Sequence, residues 1–242
     1  MRFPEKQAVR EVYLMSLAVF LFWAIPMLLV IRRIRFWRRV GERRHAKRWQ
    51  TAASVAASAL VVFSMGTQIF LLWKMGLAGV STVLPLHLCS FVGVLTPFML
   101  LTRSAGLLEF TLFLGVPGAV AALIFPAVMP SPWPILMQGA FFSLHAIIAL
   151  APFLRMANGA RPRPMALGRV FLWGNILLLL VTGVNAIFQT NYFFLRIAPT
   201  GTPLYLLQGM GQAAYIAALE VAALVLLKVE TMAYNRITRP QT

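Results

Sequence analysis

Seven long apolar runs, separated by short polar stretches, dominate the pattern of hydrophobic and polar positions along this chain. They lie near residues 12–31, 51–73, 81–102, 106–125, 134–154, 170–190 and 204–228. A hydrocarbon core about 30 Å thick needs about 20 helical residues, and each run meets that length. The pattern predicts an all-α, polytopic membrane helical bundle of about seven transmembrane helices, forming a single integral membrane domain over residues 1–242.

The composition supports a membrane protein and argues against a nucleic-acid partner. Hydrophobic residues make up 60% of the chain, charged residues 12%, and there is no aspartate. A soluble domain has about 25% charged residues. The net charge of +16 comes from basic residues in the stretches between the apolar runs. That placement is typical of topology signals and of contacts with anionic lipid headgroups. We therefore expect anionic headgroups at the basic cytoplasmic loops, while protein partners stay open.

The distribution of basic residues predicts the orientation of the chain. The first connecting segment, residues 32–48, carries nine Lys and Arg residues. With alternating spans, 17 of the 22 Lys and Arg residues fall on the same side as this segment. Basic residues accumulate on the cytoplasmic side of membrane proteins. The bias predicts an external amino terminus and a cytoplasmic carboxyl terminus.

The few metal-ligating side chains predict neither a metal site nor a cofactor. Cys89 is the only cysteine, so an intrachain disulfide and a site built on several thiolates are excluded. His87 and His145 are two of the three histidines. A site built on these two lacks an evident third ligand, because His45 lies in the basic segment.

Several polar side chains fall in the outer half of the predicted bundle. A helix rises ~1.5 Å per residue, so depth can be measured from the external end of each span, near Ser81 for the third run and Pro134 for the fifth. On this measure His87 lies about 9 Å, Cys89 about 12 Å and His145 about 16 Å below the external face. Polar groups in hydrocarbon are functional candidates, because leaving them unpaired is costly. The remaining candidates in this layer are potential substrate-binding residues: Gln68, Gln138, Asn185, Gln189, Asn191 and Tyr192.

Cys89 and His145 form the best candidate pair for catalysis. On a regular helix His87 and Cys89 point about 200° apart, so His87 is a poor base for Cys89 unless Pro85 loosens the local turn. An imidazole from another helix can take the proton of a thiol, and Gln138, Gln189 or Asn191 can orient it or bind an oxyanion. A cysteine in a span is also commonly a small hydrophobe, and a histidine an interhelical hydrogen-bonding group. Residue chemistry alone therefore predicts a polar cavity in the outer half of the bundle and leaves its function open.

Four motifs resemble the YwaF family of bacterial integral membrane proteins, whose eukaryotic relatives include transmembrane protein 164. They are "LPLHLCS" at 84–90, "GVPGAVAALIFP" at 115–126, the fifth apolar run with His145, and "QTNYFFLRIAPTGTPLYLL" at 189–207. The similarity runs in order over about residues 50–228. It implies a location in the bacterial cytoplasmic (inner) membrane.

The resemblance also implies an activity. The eukaryotic relative is a phospholipid acyltransferase that forms a cysteine acyl intermediate, and a more distant family of lipid hydrolases uses a threonine and a histidine. By resemblance, Cys89 is the nucleophile and His145 the base, while His87, Asn191 and Tyr192 line the pocket. One departure is Ala127, which stands where family members often carry an aspartate.

Two classes of function follow. The first is an integral membrane acyltransferase or acyl hydrolase that acts on membrane lipids through Cys89 and His145 in a cavity on the outer-leaflet side. The alternative is non-enzymatic: a small transporter, a lipid-binding membrane protein or a structural subunit of a membrane complex.

Overall fold

The computed structural model describes residues 3–126, 130–199 and 202–238. Helices account for 82% of the chain, and the described residues contain no strand. The chain divides into two compact units, residues 1–162 and residues 163–242. The all-α prediction is confirmed, whereas the single domain and the orientation of the termini stay predictions.

The first unit contains most of the helices. They are α1 (Phe3–Arg39), α2 (Arg43–Lys74), α3 (Val80–Val83), α4 (Leu88–Leu101), α5 (Ala105–Phe110), a π-helical turn (Thr111–Gly115), α6 (Val116–Ile124) and α7 (Pro134–Ala157). The second unit contains α8 (Ala166–Phe188), a 3₁₀ turn (Tyr192–Phe194), α9 (Pro203–Leu207), a second 3₁₀ turn (Gln208–Met210) and α10 (Gln212–Thr238).

Six helical segments within the described residues are long and apolar enough to cross a membrane. They are 14–39, 43–74, 105–124, 134–157, 166–188 and 212–232. Many large apolar side chains on them point away from the protein: Phe63, for example, is 72% exposed. Such surfaces are stable in lipid rather than in water.

The third predicted span differs from the structure because it is not one helix. The short helix α3 ends at Val83, and α4 begins only at Leu88 and has 14 residues. Pro85 explains the break, since a proline forces the preceding residue out of the helical conformation and has no N–H to donate. Leu84 accordingly has φ −65° and ψ 130°.

The basic segment 32–48 is mostly helical, contrary to the expectation of a loop. Only a short turn separates the end of α1 at Arg39 from the start of α2 at Arg43. Nη1 of Arg38 donates a hydrogen bond to the carbonyl of Ala157, the last residue of α7, over 3.2 Å. A cation at a helix carboxyl end satisfies an orphan carbonyl and interacts favourably with the helix dipole.

Helix α7 is the central helix of the first unit. It packs against α1, α2, α4 and α6, and it is the most buried of the six candidate spans within the described residues. Hydrogen bonds tie it to α1 at two levels, from Trp23 Nε1 to Ser143 Oγ (2.9 Å) and from Arg38 to Ala157. Because both partners advance along their helices in the same order, α1 and α7 run parallel.

Glycines bring α4, α6 and α7 close together. A Cβ atom on Gly115 would lie 2.6 Å from Cγ1 of Val92 and 3.6 Å from Cγ2 of Ile148. A Cβ on Gly118, three residues further along, would meet Leu88 and Cys89, three to four residues earlier on α4. The α4 and α6 helices are therefore antiparallel. Glycine lets helix backbones approach closely in lipid, where apolar burial does not drive association.

In the second unit, α8 and α10 contact one another. Asn175 Nδ2 on α8 donates a hydrogen bond of 3.2 Å to Glu220 Oε2 on α10. The seventh apolar run is subdivided, because Gly211, at φ +85°, separates α9 and its 3₁₀ turn from α10.

Gly115→Ala should lower the free energy of unfolding by about 1–3 kcal/mol, because the new methyl group overpacks the contact with Val92. Gly139→Ala in α7 is the matched control, since no atom lies within 4 Å of its added Cβ. The control should be neutral or slightly stabilising, as alanine favours helix over glycine. Denaturation of both variants in detergent measures the difference, and equal stability would contradict the packing described.

Candidate functional site

Cys89 lies in the first turn of α4. The N-cap of this helix is His87, with φ −69° and ψ 145°. The expected position of Cys89 in the middle of a long helix is therefore wrong. The regular-helix angle between His87 and Cys89 does not apply either, because His87 has extended backbone.

The start of α4 leaves backbone donors beside the thiol. The first helical hydrogen bond runs from the N–H of Phe91 to the carbonyl of His87, over 2.8 Å. Within the described residues, the N–H groups of Leu88, Cys89 and Ser90 donate to no acceptor. Such orphan amides carry partial positive charge and bind anions.

Gly118 of α6 faces the sulfur of Cys89. A Cβ on this glycine would lie 3.6 Å from Cys89 Sγ and 3.2 Å from Leu88 Cδ2. Cys89 itself is half-buried. The thiol thus lies against the backbone of α6 at Gly118, with no side chain of that residue between them.

His145 of α7 is oriented by its own helix. Its ring is 5% exposed, and Nδ1 lies 2.7 Å from the carbonyl oxygen of Phe141. A carbonyl only accepts hydrogen bonds, so Nδ1 carries the proton and Nε2 of the neutral ring is a proton acceptor. The Phe141 ring, centred 4.2 Å from the imidazole, further fixes its plane.

The register of the three helices brings Cys89 and His145 to one level. Val92 and Ile148 both face Gly115. Cys89, Gly118 and His145 lie about one helical turn from Val92, Gly115 and Ile148, respectively, in the direction of the start of α4. Each therefore lies on the same helix face as its counterpart. No hydrogen bond joins Cys89 to His145 within the described residues.

Three further candidates lie in the same unit. Met65 of α2 contacts the Cβ position of Gly93, so Gln68, one turn further, falls near the Cys89 level; its Nε2 donates to the carbonyl of Ser64 (3.3 Å). Gln138 is half-buried and lies seven residues before His145, on the same face of α7. His87 is half-buried at the start of α4.

The other four candidates lie in the second unit, where three of them hold a loop together. Asn185 is buried; its Oδ1 accepts from Thr190 Oγ1 and from the Tyr192 N–H (2.8 Å each), and its Nδ2 donates to the Tyr192 carbonyl (3.0 Å). Asn191 Oδ1 accepts from the N–H groups of Arg196 and Ile197 (2.9 and 3.1 Å). Gln189, at the end of α8, accepts from Arg196 Nη1 (3.0 Å).

Additional side chains, which sequence reasoning missed, complete this hydrogen-bonded loop. Gln208 accepts from the N–H of Ala198 and donates to the carbonyl of Arg196, Gln212 donates to the carbonyl of Leu195, and Tyr215 donates to the carbonyl of Phe194. The number of Asn and Gln residues between positions 185 and 212 was the sequence feature that could have indicated such a loop. Burial also raises the pKa of the Tyr192 hydroxyl, which keeps that side chain neutral. A role of the four candidates in substrate binding stays a prediction.

An apolar cavity of about 340 Å³ lies between α1 and α6. It is lined by Ser16, Leu17, Phe20, Val120, Leu123 and Ile124. The hydroxyl of Ser16 is not available to a ligand as a donor, because it donates to the carbonyl of Leu123 (2.9 Å). Leu123 follows Gly118 by five residues, so the cavity is near the end of the unit at which α4 begins.

Metal ligands are not clustered in the part of the chain that the structure describes: no group of three or more His, Cys, Asp or Glu residues is close enough to hold an ion. Ala127, which replaces the aspartate expected from the resemblance, lies outside the described residues.

The apolar helices, with their exposed hydrophobic faces, define an integral membrane protein of the all-α class. The model of the TMEM164 family matches residues 6–229. The chain therefore belongs to the TMEM164 family. No curated protein and no solved structure matches it.

Asn185→Ala should lower the free energy of unfolding by about 1–3 kcal/mol, because the buried N–H of Tyr192 and hydroxyl of Thr190 lose their acceptor. Thr182→Ala on the same helix is the control. Its exposed hydroxyl donates only to the carbonyl of Leu178, so a change within about 0.5 kcal/mol is expected. Thermal unfolding of both variants in detergent tests this, and a stable Asn185→Ala protein would show that the loop does not depend on the amide.

Proposed function

We propose that this protein transfers acyl groups between membrane lipids, or hydrolyses them, through a thioester on Cys89. The observation that carries the proposal is the position of the only thiol of the chain, in the first turn of α4 and one level with His145. The non-enzymatic class, a transporter or lipid-binding protein, is the reading that the experiment below has to exclude.

The start of α4 supplies what a nucleophilic thiol needs. A thiolate at a helix amino terminus is stabilised by the positive end of the helix dipole. The orphan N–H groups of Leu88, Cys89 and Ser90 are fixed donors in the same turn. Donors of this kind stabilise the oxyanion of a tetrahedral intermediate, and losing one costs about 10²–10³ in rate in known enzymes. In this proposal the backbone N–H groups bind the oxyanion, a role for which the sequence analysis considered the side chains of Gln138, Gln189 and Asn191.

His145 is suited to act as the base. The hydrogen bond from Nδ1 to the Phe141 carbonyl fixes the tautomer in which Nε2 accepts a proton. It also orients the ring on the face of α7 that is directed towards Cys89. A positioned imidazole contributes about 10²–10⁴-fold to proton-transfer steps.

The proposed reaction proceeds in two balanced steps. Nε2 of His145 takes the thiol proton as Cys89 Sγ attacks the ester carbonyl; the tetrahedral intermediate then collapses, and the lipid alkoxide leaves with the proton from His145. The hydroxyl of an acceptor lipid, or water, next attacks the thioester while His145 takes its proton. Collapse of this second intermediate releases the new ester or the acid and returns the proton to Cys89.

Membrane lipids are the substrate class, and the two steps require no cofactor. The apolar cavity between α1 and α6 supports a lipid substrate, because it offers room for a hydrocarbon chain near the thiol end of the unit. His87 is the N-cap residue of α4, where it would contact the ester or the headgroup.

The chemistry would take place on the external side of a bacterial cytoplasmic membrane. The contacts described above put Arg38 at the end of the first unit opposite to Cys89. Basic residues favour the cytoplasmic side, so the thiol end would face outwards and the amino terminus would be external.

The catalytic proposal predicts that an activated acyl thioester or a haloacetamide probe labels Cys89 in wild-type protein. His145→Ala should slow labelling by about 10²-fold or more, because the thiol loses its base. His45→Ala is the matched control, since this histidine lies at the α1–α2 turn, where it pairs with Glu42 (3.2 Å). Intact-protein mass spectrometry after timed incubation measures the rates.

Transfer is measured in parallel with a fluorescent phospholipid donor and a lysolipid acceptor in proteoliposomes. Cys89→Ser and His145→Ala should lose activity, while His45→Ala should retain it. Equal labelling of wild type and His145→Ala, together with no transfer by wild type, would exclude the enzyme and favour the binding class.

The orientation predicts that green fluorescent protein fused to the carboxyl terminus fluoresces, because it folds in the cytoplasm but not after export in an unfolded state. The same fusion to the amino terminus should stay dark. Membrane insertion of both fusions is controlled by immunoblotting of washed membranes. Fluorescence of the amino-terminal fusion alone would reverse the topology.

A further inference from the structure

Arg155 has a buried donor without an acceptor. Its Nε–H, near the carboxyl end of α7, makes no hydrogen bond to any residue that the structure describes. Buried polar groups in folded proteins nearly always have a partner, so an exception calls for an explanation. The basic residues around it differ: Arg38 donates to the Ala157 carbonyl, and Arg161 donates to the carbonyls of Met156 and Ala160 (3.2 Å each).

A second arginine lies at the same end of the unit. Arg103 is exposed in the turn between α4 and α5, and its positive charge acts on the Arg155 guanidinium. The helix register supports the proximity. The Cβ position of Gly93 on α4 meets Leu144 and Ile148 on α7. Both helices run in the same direction. Arg103 follows Gly93 by ten residues and Arg155 follows Ile148 by seven, so both arginines lie at the carboxyl-terminal ends of these helices.

The two arginines are not paired with a carboxylate in the part of the chain that the structure describes. Within the described residues, neither Arg103 nor Arg155 makes a hydrogen bond or an ion pair with a carboxylate. Two like charges that approach one another repel, and the repulsion grows as water is removed. An anion between them would reverse the sign of this interaction.

We propose that Arg103 and Arg155 together bind the phosphate group of an anionic phospholipid. Guanidinium groups match phosphate oxygens through paired, charge-assisted hydrogen bonds. A lipid is favoured over a soluble phosphate by exposed apolar side chains at the same end of the unit, such as Leu101 and Phe153, which are 58% and 40% exposed. These surfaces would receive the acyl chains while the arginines hold the headgroup.

This headgroup site is separate from the candidate catalytic site. Ten residues of α7, or about 15 Å, lie between His145 and Arg155. The inference therefore does not depend on the proposed acyl transfer, and the test below uses no activity measurement.

The test titrates the full-length protein in detergent with phosphatidylglycerol, with phosphatidylcholine and with inorganic phosphate, and measures binding by native mass spectrometry. Wild type should bind phosphatidylglycerol more tightly than phosphatidylcholine. Arg103→Gln and Arg155→Gln should each weaken phosphatidylglycerol binding by roughly tenfold or more, the effect of losing a hydrogen bond to a charged group. Arg48→Gln removes the same charge from an exposed position of α2 and should change binding less than about twofold.

Arg155→Lys serves as a second variant, because it keeps the charge but loses Nε. It should also weaken binding, since a lysine lacks the guanidinium fork. Equal binding by Arg103→Gln and wild type, or an equal loss in Arg48→Gln, would overturn the site. Competition by millimolar inorganic phosphate as effective as that by the lipid would overturn the assignment to a phospholipid.

Discussion

The constraint on which this structure depends is that a peptide group in hydrocarbon has no water to bond to. Each N–H and C=O needs a partner within the protein. The long helices meet this requirement internally. Two departures from helix within the described residues differ in this respect: in one, side chains supply the partners, and in the other, backbone N–H groups stay available. The candidate site and the loop of the second unit are the two contrasting cases.

In the loop after α8, amide side chains take the place of helical hydrogen bonds. Asn185, Asn191, Gln208 and Gln212 each bond to main-chain groups of residues 190–198. Side chains that the sequence marks as polar and membrane-embedded are thus engaged in holding the chain. At the start of α4 the arrangement is the opposite, because the N–H groups of Leu88, Cys89 and Ser90 have no such partner among the described residues. That difference, rather than polarity alone, singles out the thiol region.

The sequence predicted the larger features because they follow from apolar length and from the positions of basic residues. All seven apolar runs contain helix, and the family assigned from "LPLHLCS" and "QTNYFFLRIAPTGTPLYLL" is correct. The break before α4 was foreseeable in kind, since Pro85 disfavours helix at Leu84. Its extent was not, because where a helix restarts depends on tertiary contacts such as those of Leu88 and Cys89 with Gly118. The basic segment 32–48 was also expected to be a loop. Arginine and lysine have high helix propensity, so most of the segment extends α1 and α2 instead.

Site chemistry was predictable only to the level of residue types. Depth along the helices brought Cys89 and His145 to similar levels, and the register of α4, α6 and α7 agrees with that. The tautomer of His145 was not predictable, because it depends on a hydrogen bond to its own helix. The roles of Asn185 and Asn191 in the loop likewise depend on the path of the backbone after Phe188, which periodicity does not describe.

The two bonds between α1 and α7 restrict how the apolar cavity can change in size. Trp23 and Arg38 are 15 residues apart, and each is attached to α7, so α1 can neither slide along its neighbour nor turn about its own axis without breaking both. One wall of the cavity is therefore rigid. The opposite wall is α6, which follows the π-helical turn at Thr111–Gly115 and is joined to α1 by the hydrogen bond from Ser16 to the Leu123 carbonyl. A guest of larger girth would have to move α6 away from α1 and break this bond, while the α1–α7 pair stays in place.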